Sequence, residues 1–158
     1  MKRILLSLLT LPFLTLASFA DDQKEALDFF NNYVNAANTY SSTIANMYSP
    51  SAKIIRQVVK PDGTTVDVAT DTATYIKQMK IGQAGAKLRH YTNKYTNIVV
   101  SDAPNGAYKV SSLRQPSGED YKLKTYMIVK KQPNGDWQII EEMMQTKVQT
   151  FLRYADKK

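Results

Sequence analysis

The sequence contains no cysteine, which closes off disulfides, thiolate metal sites and a cysteine nucleophile together. Histidine occurs once, at His90, so a multi-histidine zinc site is excluded and any serine triad would have to share that residue. No Gly-x-Ser-x-Gly elbow, phosphate-cradling glycine loop, EF-hand or metalloprotease helix signature occurs along the 158 residues. Hydrolase and nucleotide chemistry are disfavoured, and no metal or cofactor is expected. A long apolar run is missing too. The longest, residues 4–16, is about a dozen residues, against the roughly 20 that a membrane-spanning helix needs.

That short run has the layout of an export signal. Lys2 and Arg3 precede it, and Ser18-Phe19-Ala20 sets small residues at the cleavage-determining positions before Asp21-Asp22. Cleavage near Ala20 is expected, giving a periplasmic or secreted product with no stable membrane insertion. With residues 1–20 removed, 138 of the 158 residues remain, a length suited to one domain over residues 21–158. The formal charge of +7 falls to +5 once Lys2 and Arg3 leave. Lysines are scattered from Lys53 to Lys147 in place of one block, which reads as solvated faces and not as a nucleic-acid surface.

Periodicity orders the rest. Asp22 and Glu25 have capping-box spacing, and Ala26, Phe29, Phe30, Tyr33, Val34, Ala37 and Tyr40 form one apolar stripe, predicting a helix of about five turns. Ser41-Ser42-Thr43 caps a short second helix that ends at Ser49-Pro50. Residues 53–60 and 64–69 flank Pro61-Asp62-Gly63 and predict a hairpin. Asp71 or Thr72 caps a third helix, with Gly82 available to end it. Four strands follow, over 87–101, 107–115, 121–131 and 137–148, separated by Asn/Gly/Pro/Asp breaks that favour antiparallel pairing. Leu123, Thr125, Met127 and Val129 share one face of the third of these and Lys122, Lys124 and Lys130 the other, so one side of the sheet is buried and one wet.

The order of elements, with Phe29-Phe30-Asn31-Asn32-Tyr33, Met47-Tyr48-Ser49-Pro50-Ser51-Ala52 and Gly135-Asp136-Trp137-Gln138-Ile139, resembles the nuclear transport factor 2-like, or cystatin-like, superfamily across the whole mature chain. The resemblance implies an α+β fold in which three N-terminal-side helices pack on a strongly curved, mostly antiparallel sheet, forming a cone-shaped half-barrel around a cavity. It also implies a choice of functions, because that superfamily holds ketosteroid-isomerase-like and polyketide-cyclase-like enzymes beside silent binding modules and secretion-machine components. Its enzymes place an acidic general base a few positions into the first strand. Here Ala52-Lys53-Ile54-Ile55-Arg56 offers a cation instead, and a guanidinium abstracts no proton at neutral pH.

The expected function is therefore an exported, non-catalytic binding or assembly module for a small apolar or amphipathic anion, such as a lipid-like molecule. Arg56 meets the charged end in that reading, with help from Arg114 or His90. Tyr33 and Tyr48 supply apolar walls with hydroxyl handles, and Met127 adaptable packing. The alternatives are an isomerase or cyclase-type enzyme using His90 or an inward Glu as base, or a secretion-machinery interaction domain. Glu141 and Glu142 are adjacent on a strand, so only one faces inward, where Arg56 or Arg114 is a possible partner. Homodimers through the convex sheet face are also expected, with Tyr126 and Ile128 exposed on it.

Overall fold

The computed structural model describes the backbone of residues 15–155 and side chains from residue 21 onward. The basic segment and most of the apolar run of the expected export signal lie outside the described residues. Helix α1 (Thr15–Asn38) leads to a 3-10 helix at Ser42–Met47, strands β1 (Tyr48–Val59) and β2 (Thr65–Thr70), and helix α2 (Thr72–Leu88). Strands β3 (Asn93–Ala103), β4 (Ala107–Pro116), β5 (Leu123–Lys131) and β6 (Trp137–Thr146) follow, and a 3-10 turn at Gln149–Tyr154 ends the described chain. The strands form one curved sheet in the order β2-β1-β6-β5-β4-β3, antiparallel throughout except where β1 runs parallel to β6. This is the α+β architecture the pattern predicts, with one helix fewer. The second predicted helix is a 3-10 segment, capped by Ser41 as expected.

Helix α1 lies across the concave face. Ala26, Phe30 and Tyr33, spaced four and three apart, are its most buried residues, and Phe29, Val34 and Ala37 flank them against Ile54, Val110, Met127, Val129 and Ile139 of the sheet. Phe30 meets Tyr95 of β3 edge to face, with ring centroids 5.4 Å apart. The expected cap at Asp22 is not formed, because the helix is already under way there. Its first carboxylates grip the sheet instead. Glu25 Oε2 accepts from Lys131 Nζ at 2.7 Å and from Trp137 Nε1 at 3.0 Å, and Asp22 lies 3.7 Å from Lys131. No helix among the described residues is long and apolar enough to cross a membrane.

Asp71 caps α2, accepting from the Thr74 amide at 2.8 Å, but the helix runs through Gly82 to Leu88. Gly82 keeps helical geometry, so it has no left-handed turn to make. That role falls to His90, whose φ of 51° closes a Schellman motif in which His90 N donates to Lys87 O and Tyr91 N to Ala86 O. Five of the residues expected in the strand over 87–101, residues 87–91, are therefore the end of α2 and its cap. On the convex face, Tyr126 and Ile128 are half-buried where exposure was expected. Lys109 lies 4.1 Å above the Tyr126 ring, and the Tyr126 hydroxyl donates to Glu141 at 2.6 Å.

Candidate functional site

Two layers fill the cone. The inner layer is an ionic knot around Glu142, which is fully buried. A bulge at Ile140 puts it there. Ile128 pairs with Glu141 and Val129 with Ile139, leaving Ile140 as the extra residue, so Ile139 and Glu142 both face inward although three positions apart. Glu142 stands between Ile54 of β1 and Met127 of β5, and Arg56 lies two residues beyond Ile54 on the same face.

Every oxygen of that carboxylate is engaged. Arg56 Nη1 donates to Oε1 at 2.7 Å; Tyr48 donates to Oε2 at 2.5 Å and Tyr33 to the same atom at 3.4 Å. The Arg56 guanidinium also sits 4.7 Å from the centroid of the Tyr75 ring, a cation–π contact that shields it further. Tyr48 is edge-on to both Tyr33 and Tyr75. Burial pushes the Tyr33, Tyr48 and Tyr75 hydroxyls above the ordinary tyrosine value, with the Glu142 charge adding to it; burial does the same to Tyr95 against the opposing pull of Arg114.

The pH consequence follows from the sign. Hydroxyls whose folded value is raised support folding fully below the unfolded tyrosine value of about 10, and that support is lost as the pH climbs through and beyond it. An ultraviolet titration should show that Tyr33, Tyr48, Tyr75 and Tyr95 ionise only with cooperative loss of circular dichroism, at a pH above the ordinary tyrosine value. Ionisation of these four at the ordinary value with the fold intact would mean that the knot is open to water.

The outer layer is hollow. A cavity of about 230 Å³ lies between the C-terminal half of α1, the helix α2, and the ends of β3, β4 and β6. Tyr33 separates it from Glu142; Ile44, Met79 and Met144 supply apolar wall, and Tyr75, Tyr91 and Tyr95 surround it. Gln83 of α2 donates to the Tyr40 carbonyl at 2.6 Å and ties α2 to the turn after α1. At the other end, Asn38 of α1 and the Asn93 backbone exchange two hydrogen bonds, of 3.0 and 2.9 Å, which joins the helix terminus to the start of β3.

That joint positions Arg114, which comes from β4 opposite Tyr95. Only 5 % of it is exposed, and it lines the cavity. Nη1 donates to Asn93 Oδ1 at 2.7 Å and to the Tyr91 hydroxyl at 3.4 Å, and Nη2 to the Gln145 carbonyl at 2.9 Å. All three acceptors are neutral. Nε is buried without any acceptor, and among the described residues no carboxylate lies within ion-pair distance of this guanidinium.

Of the six residues singled out from the sequence, Tyr33 and Arg114 line the cavity, and Tyr48 and Arg56 form the knot behind it. The expectation that Arg56 meets a ligand with free charge is corrected, because Glu142 already neutralises it. Met127 is 1 % exposed and packs in the core without lining the cavity. His90 is corrected outright: it lies exposed in the turn after α2, because it ends that helix and does not sit in a strand. Tyr75, Tyr91, Asn93 and Tyr95 were not anticipated. Among the described residues, no group of three or more His, Cys, Asp or Glu side chains could hold a metal ion.

No protein-family model matches the sequence, and no curated protein matches it either. Solved structures do match by shape. A candidate scytalone dehydratase from Novosphingobium aromaticivorans superposes with a TM-score of 0.60 at 14% identity, covering 81% of this chain and 85% of that one. Nuclear transport factor 2 from Cryptosporidium parvum gives 0.57 at 14% identity over 81% and 94% of the two chains. A candidate ketosteroid isomerase from Shewanella frigidimarina gives 0.54 at 15% identity over 74% and 91%. The fold is that of the nuclear transport factor 2-like superfamily, as the element order predicts. Its neighbours include enzymes and non-enzymes, so the fold leaves the activity open.

Proposed function

We propose that the chain is an exported, non-catalytic binding module whose cavity takes a small apolar or amphipathic anion, with Arg114 facing the anionic end. One observation carries the reading: a buried guanidinium, without a carboxylate partner, on the wall of an aromatic cavity. Removing a cation from water costs several kcal/mol after relaxation, and neutral acceptors offset only part of that. An incoming anion supplies the rest. The tyrosines and methionines around it fit the usual construction of ligand sites, apolar walls with a few polar groups fixing orientation.

The enzyme reading lacks a base. The cavity lining contains no Asp, Glu or His, and Glu142, behind Tyr33, is held by Arg56. A general acid or base must come within hydrogen-bond reach of the substrate. Native mass spectrometry of protein purified from the cell envelope, with extraction of bound small molecules, is expected to show an anionic adduct. A ligand-free protein that also gives no thermal shift with carboxylic acids, fatty acids, phospholipids or sterols would remove the proposal.

A further inference from the structure

We infer that the anion is a compact monocarboxylate on an aromatic or short branched skeleton, its charge met by the Arg114 guanidinium. This rests on the cavity being a binding site, as proposed above, and narrows what it binds. A guanidinium has five N–H donors. Two are directed by Nη1 to Asn93 and Tyr91 and one by Nη2 to Gln145, so Nε–H and one Nη2–H remain. A planar guanidinium matches a carboxylate in the spacing of donors and acceptors, which favours a carboxylate as partner for the donors left over. The bonds already made also hold the plane of the guanidinium, so little further ordering is needed when an anion binds.

Charge selects among anions. Arg114 is the sole charged side chain in the cavity lining, so it balances one negative charge. A phosphate monoester carries about −1.5 to −2 at neutral pH and would bring an unmatched charge against an aromatic wall. Size selects among carboxylates. A volume of about 230 Å³ lies below the roughly 300–1,000 Å³ of ordinary drug-sized sites, which fits one ring or a short branched chain and is too small to enclose a phospholipid or a long acyl chain. Tyr75, Tyr91 and Tyr95 offer ring faces and edges to such a skeleton.

Calorimetric titration of the purified chain with phenylacetate, phenylacetamide, phenyl phosphate and palmitate tests this. Phenylacetate is expected to bind about tenfold or more tightly than phenylacetamide, since a charge-assisted fork is lost in the amide. Arg114→Gln should bring the two ligands level, and Arg114→Lys, which keeps the charge without the fork, should lose most of the preference. Both variants are checked for folding by circular dichroism. Ala86→Phe, on the cavity wall contributed by the half-buried α2, should abolish binding of either ligand without touching Arg114. Equal binding of acid and amide to the unmodified chain overturns the carboxylate assignment while leaving cavity binding intact. Tighter phenyl phosphate or palmitate overturns the charge or the size argument. Failure of every probe overturns the inference, and a ligand-free native mass spectrum then removes the broader reading as well.

Discussion

Replacing Glu142 with alanine is expected to cost about 3–5 kcal/mol of folding stability, the scale of stripping one partner from a buried ion pair. The loss has three physical parts. Arg56, whose side chain is 12% exposed, keeps a charge that nothing nearby neutralises. The Tyr48 and Tyr33 hydroxyls lose the acceptor they share; Tyr48 keeps only longer contacts, of 3.3 Å to Tyr33 and 3.5 Å to Tyr75, and a buried donor left unsatisfied costs about 1–3 kcal/mol. A void opens between Ile54 and Met127 as well. Urea unfolding measures the change, read from a lower midpoint at an unaltered slope. The paired replacement Glu142→Leu with Arg56→Met should recover most of the loss, because it removes both charges together. If the alanine variant alone costs under about 1 kcal/mol, no buried pair exists in solution.

The parts of this fold that were legible are those in which a local rule and the tertiary structure agree. Pro61-Asp62-Gly63 turns β1 into β2 with Gly63 at a φ of 84°, where other residues are strained. The alternation of Leu123, Thr125, Met127 and Val129 against lysines correctly separates the two faces of β5. The positions left open or misread are those where one residue reverses the parity or extends an element. Strict alternation from the buried Ile139 would turn Glu141 inward, and only the bulge at Ile140, which has no glycine or proline to announce it, selects Glu142. Gly82 looked like a helix end, yet a glycine within a helix costs only about 1 kcal/mol, and α2 continues to a cap made by His90. Whether the inward glutamate pairs with Arg56 or with Arg114 stays open in the sequence for the same reason. Which cation is neutralised depends on which glutamate faces inward, and that depends on the bulge.

Replacing Phe30 with alanine is the second change expected to cost about 3–5 kcal/mol, the usual range for deleting a buried aromatic ring. Phe30 is 1% exposed at the centre of the α1 stripe, between the knot and the helix start. Its edge-to-face contact with Tyr95 connects it to the cavity, because Tyr95 lines the wall and pairs across the sheet with Arg114. The consequences for stability and for binding should therefore separate by substitution. Phe30→Leu keeps most of the buried volume and should cost far less than the alanine change, yet it removes the aromatic edge that orients Tyr95. Its urea midpoint should fall slightly, while phenylacetate affinity falls by a larger factor than for a control in the core away from the cavity, such as Val129→Ala. If Phe30→Leu weakens binding no more than that control, the Tyr95 ring is held by its strand alone and α1 serves the site only as a roof.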